Sequence, residues 1–180
     1  GFLRKRSLIR KHIIRRKRRA ARAVLQSLSR VALCLRDPRQ QCYAGRLGFG
    51  GGIETYLRAL RIPQAYSADV FHAALAKKAD VHIEDLSRAG HGHGIPDWYN
   101  KINPQGSLLF LPLVLHDRSI GCIFAEHTAA GGMQLESGPL RLVRALRDQL
   151  VLVLARRGQR RIGQLPVQMR GDQVDLGDPA

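Results

Sequence analysis

The sequence predicts an α+β domain, an antiparallel sheet with helices laid against it, preceded by a basic helix. Three observations point to it. Two stretches, from Val31 to Leu47 and from Leu108 to Ala125, are alternating or wholly apolar and are each broken by a polar turn, as β-hairpins are. Between and after them, apolar residues recur at helical spacing. Hairpins formed by consecutive strands, with helices gathered between them, give an antiparallel sheet rather than a parallel one.

Residues 1–28 come first in the chain. Phe2, Ile9, Ile13, Ala20 and Val24 fall within an arc of about 100° at 3.6 residues per turn, which predicts an amphipathic helix of about 25 residues. Arg16 and Lys17, inside the basic run 15–19, interrupt that stripe and argue against a long coiled coil. After Ser29 the period changes to two, with Val31, Leu33 and Leu35 on one side and Ala32 and Cys34 on the other. Asp37-Pro38 supplies turn chemistry, and Gln41 to Leu47 resumes the extended pattern. The glycines at 48, 50, 51 and 52 read as a flexible strand exit. No Gly-Lys-Ser/Thr follows to hold a phosphate, and the dinucleotide spacing is not met.

Ile53 to Leu60 predicts a short helix with Glu54 and Arg58 paired at i,i+4, ended by Pro63. Ser67 is placed to cap the next helix, whose apolar face is Val70, Phe71, Ala74 and Leu75, with Asp69 suited to its positive end. A short strand at Val81 and Ile83, a glycine-histidine loop at 90–94 and a helical turn starting at Pro96-Asp97-Trp98-Tyr99 follow. Leu108 to Leu115 reads as a strand buried on both faces, with Pro112 marking a bulge or an unpaired position. The turn His116-Asp117-Arg118 leads into Ile120, Cys122 and Phe124, alternating with Gly121, Ile123 and Ala125. Leu140 to Arg157 reads as a helix with Val143, Leu146, Leu150 and Val153 or Leu154 inward, and residues 158–180 as a polar, largely disordered tail. The domain proper is therefore expected at 29–157.

Composition narrows the function classes. With 180 residues, 44% of them hydrophobic, the chain can bury one good core. No run approaches the roughly 18 apolar residues of a membrane span. The three cysteines, Cys34, Cys42 and Cys122, form no Cys-x-x-Cys pair and no zinc spacing, which argues against a disulfide scaffold and fits a reducing cytoplasm. Opening on Gly1 rather than Met, the chain reads as a piece of a longer or processed protein. Its net charge of +16 is lopsided. Arg4, Lys5, Arg6, Arg10, Lys11, Arg15, Arg16, Lys17, Arg18, Arg19 and Arg22 stand in the first 22 residues, and no acid precedes Asp37. Such a segment attracts any polyanion, whether nucleic acid or anionic membrane, in a salt-dependent way.

The strands around Ser29–Leu35 and Tyr43–Gly48, the helix Asp69-Val70-Phe71-His72-Ala73-Ala74-Leu75, the strand Asp80–Asp85, Ile95-Pro96-Asp97-Trp98, and the hairpin Leu109–Leu113 with Ile120–Glu126 together resemble a GAF domain. More narrowly, the combination is similar to the GAF-like region that follows an HDOD domain in bacterial signalling proteins. The resemblance spans about residues 29–157. It implies a six-stranded antiparallel sheet flanked by helices, a small-molecule pocket on one face, dimerisation through the first and last helices, and an upstream signalling domain. GAF-type relatives bind varied small molecules or none known, so the resemblance fixes no cofactor, and no cysteine here matches a chromophore-attachment motif.

Candidate chemistry is sparse. His116-Asp117 lacks the further spaced ligands of a metal phosphohydrolase, and His91 with His93 lacks a third, so no metal site is expected. Cys122 on a core strand reads as a small hydrophobe, and no nucleophile elbow or catalytic carboxylate pair is present, so no enzyme is expected. Phe71, Trp98, Phe110 and Cys122, with the polar His72 and Asp85, fit the walls of a ligand pocket, but the aromatics fit an ordinary core equally, and the sequence does not separate the two readings. Two functions follow: a non-catalytic sensory or dimerisation module, or a nucleic-acid or anionic-membrane binder acting through residues 1–22. Deleting those residues is expected to abolish polyanion binding while leaving the melting transition in place. Equal binding of RNA or anionic vesicles by the shortened chain would refute the assignment.

Overall fold

The computed structural model describes residues 28–89, 94–103, 105–133 and 137–163. The basic segment 1–22 and the helix expected over 1–28 lie, apart from Leu28, outside the described residues, as do His91 and His93.

Six strands, β1 (Arg30–Asp37), β2 (Cys42–Gly50), β3 (Arg61–Pro63), β4 (Val81–Ile83), β5 (Ser107–Leu115) and β6 (Arg118–His127), form one sheet in the order β3-β2-β1-β6-β5-β4. Every neighbouring pair is antiparallel. The helices are α1 (Ile53–Ala59), α2 (Val70–Lys77), α3 (Leu86–Ala89), α4 (Asp97–Ile102) and α5 (Ser137–Gly163). The α+β architecture expected from the two hairpins is the one observed.

Turn chemistry sets both hairpins. Asp37 Oδ1 accepts from the backbone N–H of Arg39 at 2.9 Å and of Gln40 at 3.1 Å, closing the β1–β2 turn with a side chain. Between β5 and β6, His116 and Asp117 both take positive φ, 46° and 64°, the pattern of a two-residue type I′ turn whose twist matches that of the strands. Pro112 is in register with Cys122, and the irregularity it foreshadowed falls just after it, between Leu113 and Val114. β4 reaches only Leu108 to Phe110, so at Pro112 one side of β5 has no strand to donate to.

The sheet separates two cores. On one face Ala32, Cys34, Phe110, Cys122 and Phe124 pack under α1, α2, α3 and α4. On the other, Leu109, Leu111, Ala125 and Met133 pack with Leu28, Val31 and Ile123 against Leu140 and Val143 of α5. The alternation in β1 is the division between these faces.

Several local expectations are corrected. β2 does not end before the glycines: it runs to Gly50, paired with Arg30. Glycine serves close approach there, since a Cβ on Gly48 would lie 2.6 Å from both the Val31 carbonyl oxygen and the Ile53 side chain, and one on Gly45 would lie 2.5 Å from the Leu57 carbonyl oxygen. α1 can lie flat on β2 only because those Cβ atoms are missing. Asp69, not Ser67, caps α2, its Oδ1 accepting from Phe71 N at 2.9 Å and His72 N at 3.0 Å. Arg58 donates to Thr55 Oγ1 at 3.4 Å rather than to Glu54. α5 begins before Leu140 and continues past Arg157 to Gly163, so residues 158–163 extend the helix. Of its expected inner face, Val143 is packed and Leu150 and Leu154 are half-buried, whereas Leu146 is 52% and Val153 46% exposed. Nearly every turn of α5 carries an apolar residue on more than one face, so spacing alone does not fix which face turns inward.

The approach of α1 to β2 has a measurable consequence. Gly45→Ala is expected to lower unfolding stability by about 1 to 3 kcal/mol through overpacking against the Leu57 backbone, read from a chemical denaturation midpoint. A neutral result would show that α1 can lift from the strand.

Candidate functional site

The residues expected to wall a pocket lie on the face of the sheet beneath α2 and α4, but most have no free surface. Phe71, Phe110 and Cys122 are each 0% exposed. Phe71 is the hub, with ring centroids of Tyr99, Phe110, Phe124 and Trp98 at 5.0, 5.1, 5.2 and 5.7 Å. These offset and edge-on contacts favour close packing of aromatic rings. Trp98 is only half-buried, at the margin of the cluster, whereas its neighbour Tyr99 is fully buried. Cys122 faces Cys34 across the β1–β6 ladder, and burial first, then the Cys34 contact, pushes its thiol well up. A protonated, enclosed thiol is neither nucleophile nor ready metal ligand.

The two polar members of the set are engaged elsewhere. Asp85 opens α3: its Oδ1 accepts from Ser87 Oγ at 2.5 Å and Ser87 N at 3.0 Å, and Arg88 Nε lies 3.3 Å from its Oδ2. The Ser87 hydroxyl is the main reason its carboxyl stays below the usual range. His72 is held between Asp69 Oδ2, 2.7 Å from Nδ1, and the Pro63 carbonyl oxygen, 2.9 Å from Nε2. Both neighbours are acceptors, so the ring bridges α2 to the end of β3.

The densest polar cluster escaped the sequence reading altogether. Glu126, at the end of β6, is 1% exposed. Its Oε1 accepts from the hydroxyls of Tyr56 and Tyr99, and its Oε2 accepts from Arg30 Nε at 3.0 Å and Nη2 at 2.9 Å. The Arg30 guanidinium sits 3.9 Å above the Tyr56 ring, and Asn103 Nδ2 donates to the Tyr99 hydroxyl at 3.4 Å. A cleft of about 240 Å³ opens beside the cluster, lined by Ser29, Arg30, Asn103, Glu126, His127 and Thr128 among others. Strand parity could have found this cluster, because Glu126 continues the inward series Ile120, Cys122 and Phe124, and Arg30 the series Ala32 and Cys34. Chemically the set is closed, with both carboxylate oxygens satisfied by donors. Among the described residues no group of three or more His, Cys, Asp or Glu side chains could hold a metal ion.

No family model matches this sequence, and no curated protein matches it. Solved structures do. The GAF domain/HD domain protein from Geobacter sulfurreducens superposes with a TM-score of 0.62 at 14% identity, covering 77% of this chain and 89% of that one. A methyl-accepting chemotaxis protein, residues 122 to 287, gives 0.58 at 16% identity, covering 76% and 85%. Free methionine-R-sulfoxide reductase from Neisseria meningitidis, in complex with its substrate, gives 0.50 at 21%, covering 67% and 64%. At such identities the likeness is one of fold. The chain has the GAF-like α+β fold, six antiparallel strands with helices, that its hairpins resemble. No helix among the described residues is long and apolar enough to cross a membrane.

The buried phenols make the cluster testable by pH. Burial first, and then Tyr99 and Glu126 for Tyr56 and Glu126 for Tyr99, raises both hydroxyls well above the usual tyrosine range. A group whose pKa is higher folded than unfolded stabilises the fold below its unfolded value, here about 10, and that contribution is lost as pH rises toward the folded value. Stability should therefore fall above about pH 10, with phenolate absorbance from two of the four tyrosines appearing only on unfolding. Early ionisation of all four in the folded protein would contradict the cluster.

Proposed function

We propose that the chain is a non-catalytic sensory or regulatory module of a bacterial signal-transduction protein, of the kind that follows an HDOD domain, binding a small molecule and dimerising through its first and last helices. The observation that carries this is α5. At 27 residues it is about 40 Å long and leaves Leu146, Leu152 and Val153 46 to 52% exposed. Apolar side chains on a long terminal helix suit a second copy of the same helix, and a helix pair can pass movement along a chain. The fold likeness to a chemotaxis protein and to a GAF domain/HD domain protein supports the same reading. The fold also occurs in an enzyme. Here the buried, protonated Cys122 thiol and the fully paired Glu126 carboxylate favour a non-catalytic role. For a ligand to signal, it must bind two arrangements of the domain unequally and so bias α5.

A second reading keeps its own observation: the eleven bases in residues 1–22 fit nucleic acid or an anionic membrane, with the folded domain presenting them.

Sedimentation tests the leading reading. The chain is expected to be a dimer hiding at least about 1,000 Å² in total. Leu146→Glu combined with Leu152→Glu should yield monomers with little change in melting temperature, because both side chains are already half exposed. A wild-type chain that stays monomeric at high concentration would remove dimerisation from the proposal.

A further inference from the structure

A second cleft, at the opposite end of β1 from Arg30, has a different character from the Glu126 cluster. It is an open cleft of about 510 Å³, within the range of small-molecule sites, where the β1–β2 and β5–β6 hairpins approach α2. Arg36, Lys78 and Arg118 line it against a single acid, Asp117. Asp117 is already paired with Lys78. Among the described residues neither Arg36 nor Arg118 has a carboxylate partner; Arg36 Nε donates only to Gln64 Oε1, at 3.0 Å. Arg58 and Arg61 also lack a carboxylate partner, but Arg36 and Arg118 are the two that line one concave site together.

The walls are fixed and partly aromatic. The Tyr43 hydroxyl donates to the Ser119 carbonyl oxygen at 3.3 Å, and Ser119 Oγ donates to the Leu75 carbonyl oxygen at 2.8 Å, tying β2, β6 and α2 together at the floor. Gln64 Nε2 donates to the Asp37 carbonyl oxygen at 3.1 Å, which anchors the residue that orients Arg36. Tyr66 stands at the rim, 70% exposed, its ring 6.0 Å from that of His72 at an interplanar angle of 72°. A large exposed tyrosine beside a preformed cavity presents an open aromatic face, and guanidinium groups bind carboxylate or phosphate oxygens in forked pairs.

We propose that this cleft binds a small organic anion bearing a planar ring, with its carboxylate or phosphate between Arg36 and Arg118 and its ring against Tyr66. The cleft takes in His72 of the expected walls but not Phe71, Trp98, Phe110 or Cys122, and it is separate from the Glu126 cleft. It deepens the sensory reading by naming the ligand's chemistry, and it rests on that reading only for its biological purpose.

Phenyl phosphate is the probe, titrated into the isotope-labelled full chain at physiological salt, with amide shifts followed residue by residue. Inorganic phosphate and benzyl alcohol supply the anion and the ring alone. Saturable shifts at Tyr66, Ala76 and Ser119 are expected, with phenyl phosphate binding at least about tenfold tighter than either half. Arg36→Gln and Arg118→Gln should each weaken it by at least about tenfold, while Arg58→Gln, outside the cleft, should not. Benzoate in place of phenyl phosphate distinguishes a carboxylate from a phosphate preference. Shifts confined to residues 1–22, or unchanged binding in the folded double variant Arg36→Gln, Arg118→Gln, would overturn the site. Because the wild-type map needs no variant, misfolding of a substituted chain does not protect the proposal. Dimerisation is measured separately by sedimentation, so either can fail alone.

Discussion

The buried carboxylate of Glu126 is the constraint on which the helical face of this domain depends. An ionised carboxylate removed from water is tolerated only when donors replace its hydration, and losing one partner is costly. Here the donors come from three other elements: Arg30 from the first residue of β1, Tyr56 from α1 and Tyr99 from α4. Neither helix can shift along the sheet without breaking the hydrogen bond its tyrosine makes to Oε1. Generic apolar packing would allow α1 and α4 to slide, whereas four converging polar atoms specify one position. Tyr99 carries the constraint further, since its ring stacks at 5.6 Å on Phe124 and meets Phe71 edge-on, joining the polar cluster to the aromatic core.

From that junction the two faces of the sheet take on different tasks. The helical face is filled by large rings around Phe71 and by side chains with no exposed surface, a dense arrangement that transmits displacement rather than absorbing it. The other face is less completely covered. Leu47 and Phe49 of β2 are 67% and 46% exposed, opposite Leu33 and Val31 of β1, and α5 packs chiefly over β5. One side of the domain is thus a rigid support, and the other presents apolar surface on both helix and sheet.

Legibility in the sequence followed the strength of the local signal. Both hairpins could be read because period-two alternation and turn residues coincide, and α2 because its apolar face and acidic start agree. β3 could not be read: three residues, only Ile62 buried, contain no repeat, and its pairing with Cys42 to Ala44 comes from tertiary contact. α3 at four residues has the same difficulty. Of the expected pocket, Phe71, Trp98, Phe110 and Cys122 pack in one core cluster, where parity and helix phase put them. Sequence could not say that rings from α2, α4, β5 and β6 would fill the space between themselves. The Glu126 cluster was accessible by parity and was overlooked because a charged residue ending an apolar strand looks like the strand's exit. Of the Arg36–Arg118 cleft, only His72 is among the residues named from sequence; the two arginines lie on separate strands 82 positions apart, with no local signal.

What joins the cleft to α5 is the short segment after α2. Lys78, in a left-handed conformation at the end of α2, lines the cleft and also a groove of about 520 Å³ between β5 and α5, beside Arg147, Asp148 and Val151. Two residues on, Asp80 accepts from Arg144 Nε and Arg147 Nη1, each at 2.6 Å, and its side chain is 13% exposed. An isolated surface ion pair contributes little, but a mostly buried carboxylate shared by two arginines of one helix holds that helix in register. An anion in the cleft would compete with Asp117 for Lys78, so the empty and filled states would differ in the charge facing the groove. A ligand moves an equilibrium only where it binds two arrangements of the domain unequally. It would act two residues from the point where Asp80 grips α5, and α5 carries the exposed apolar side chains.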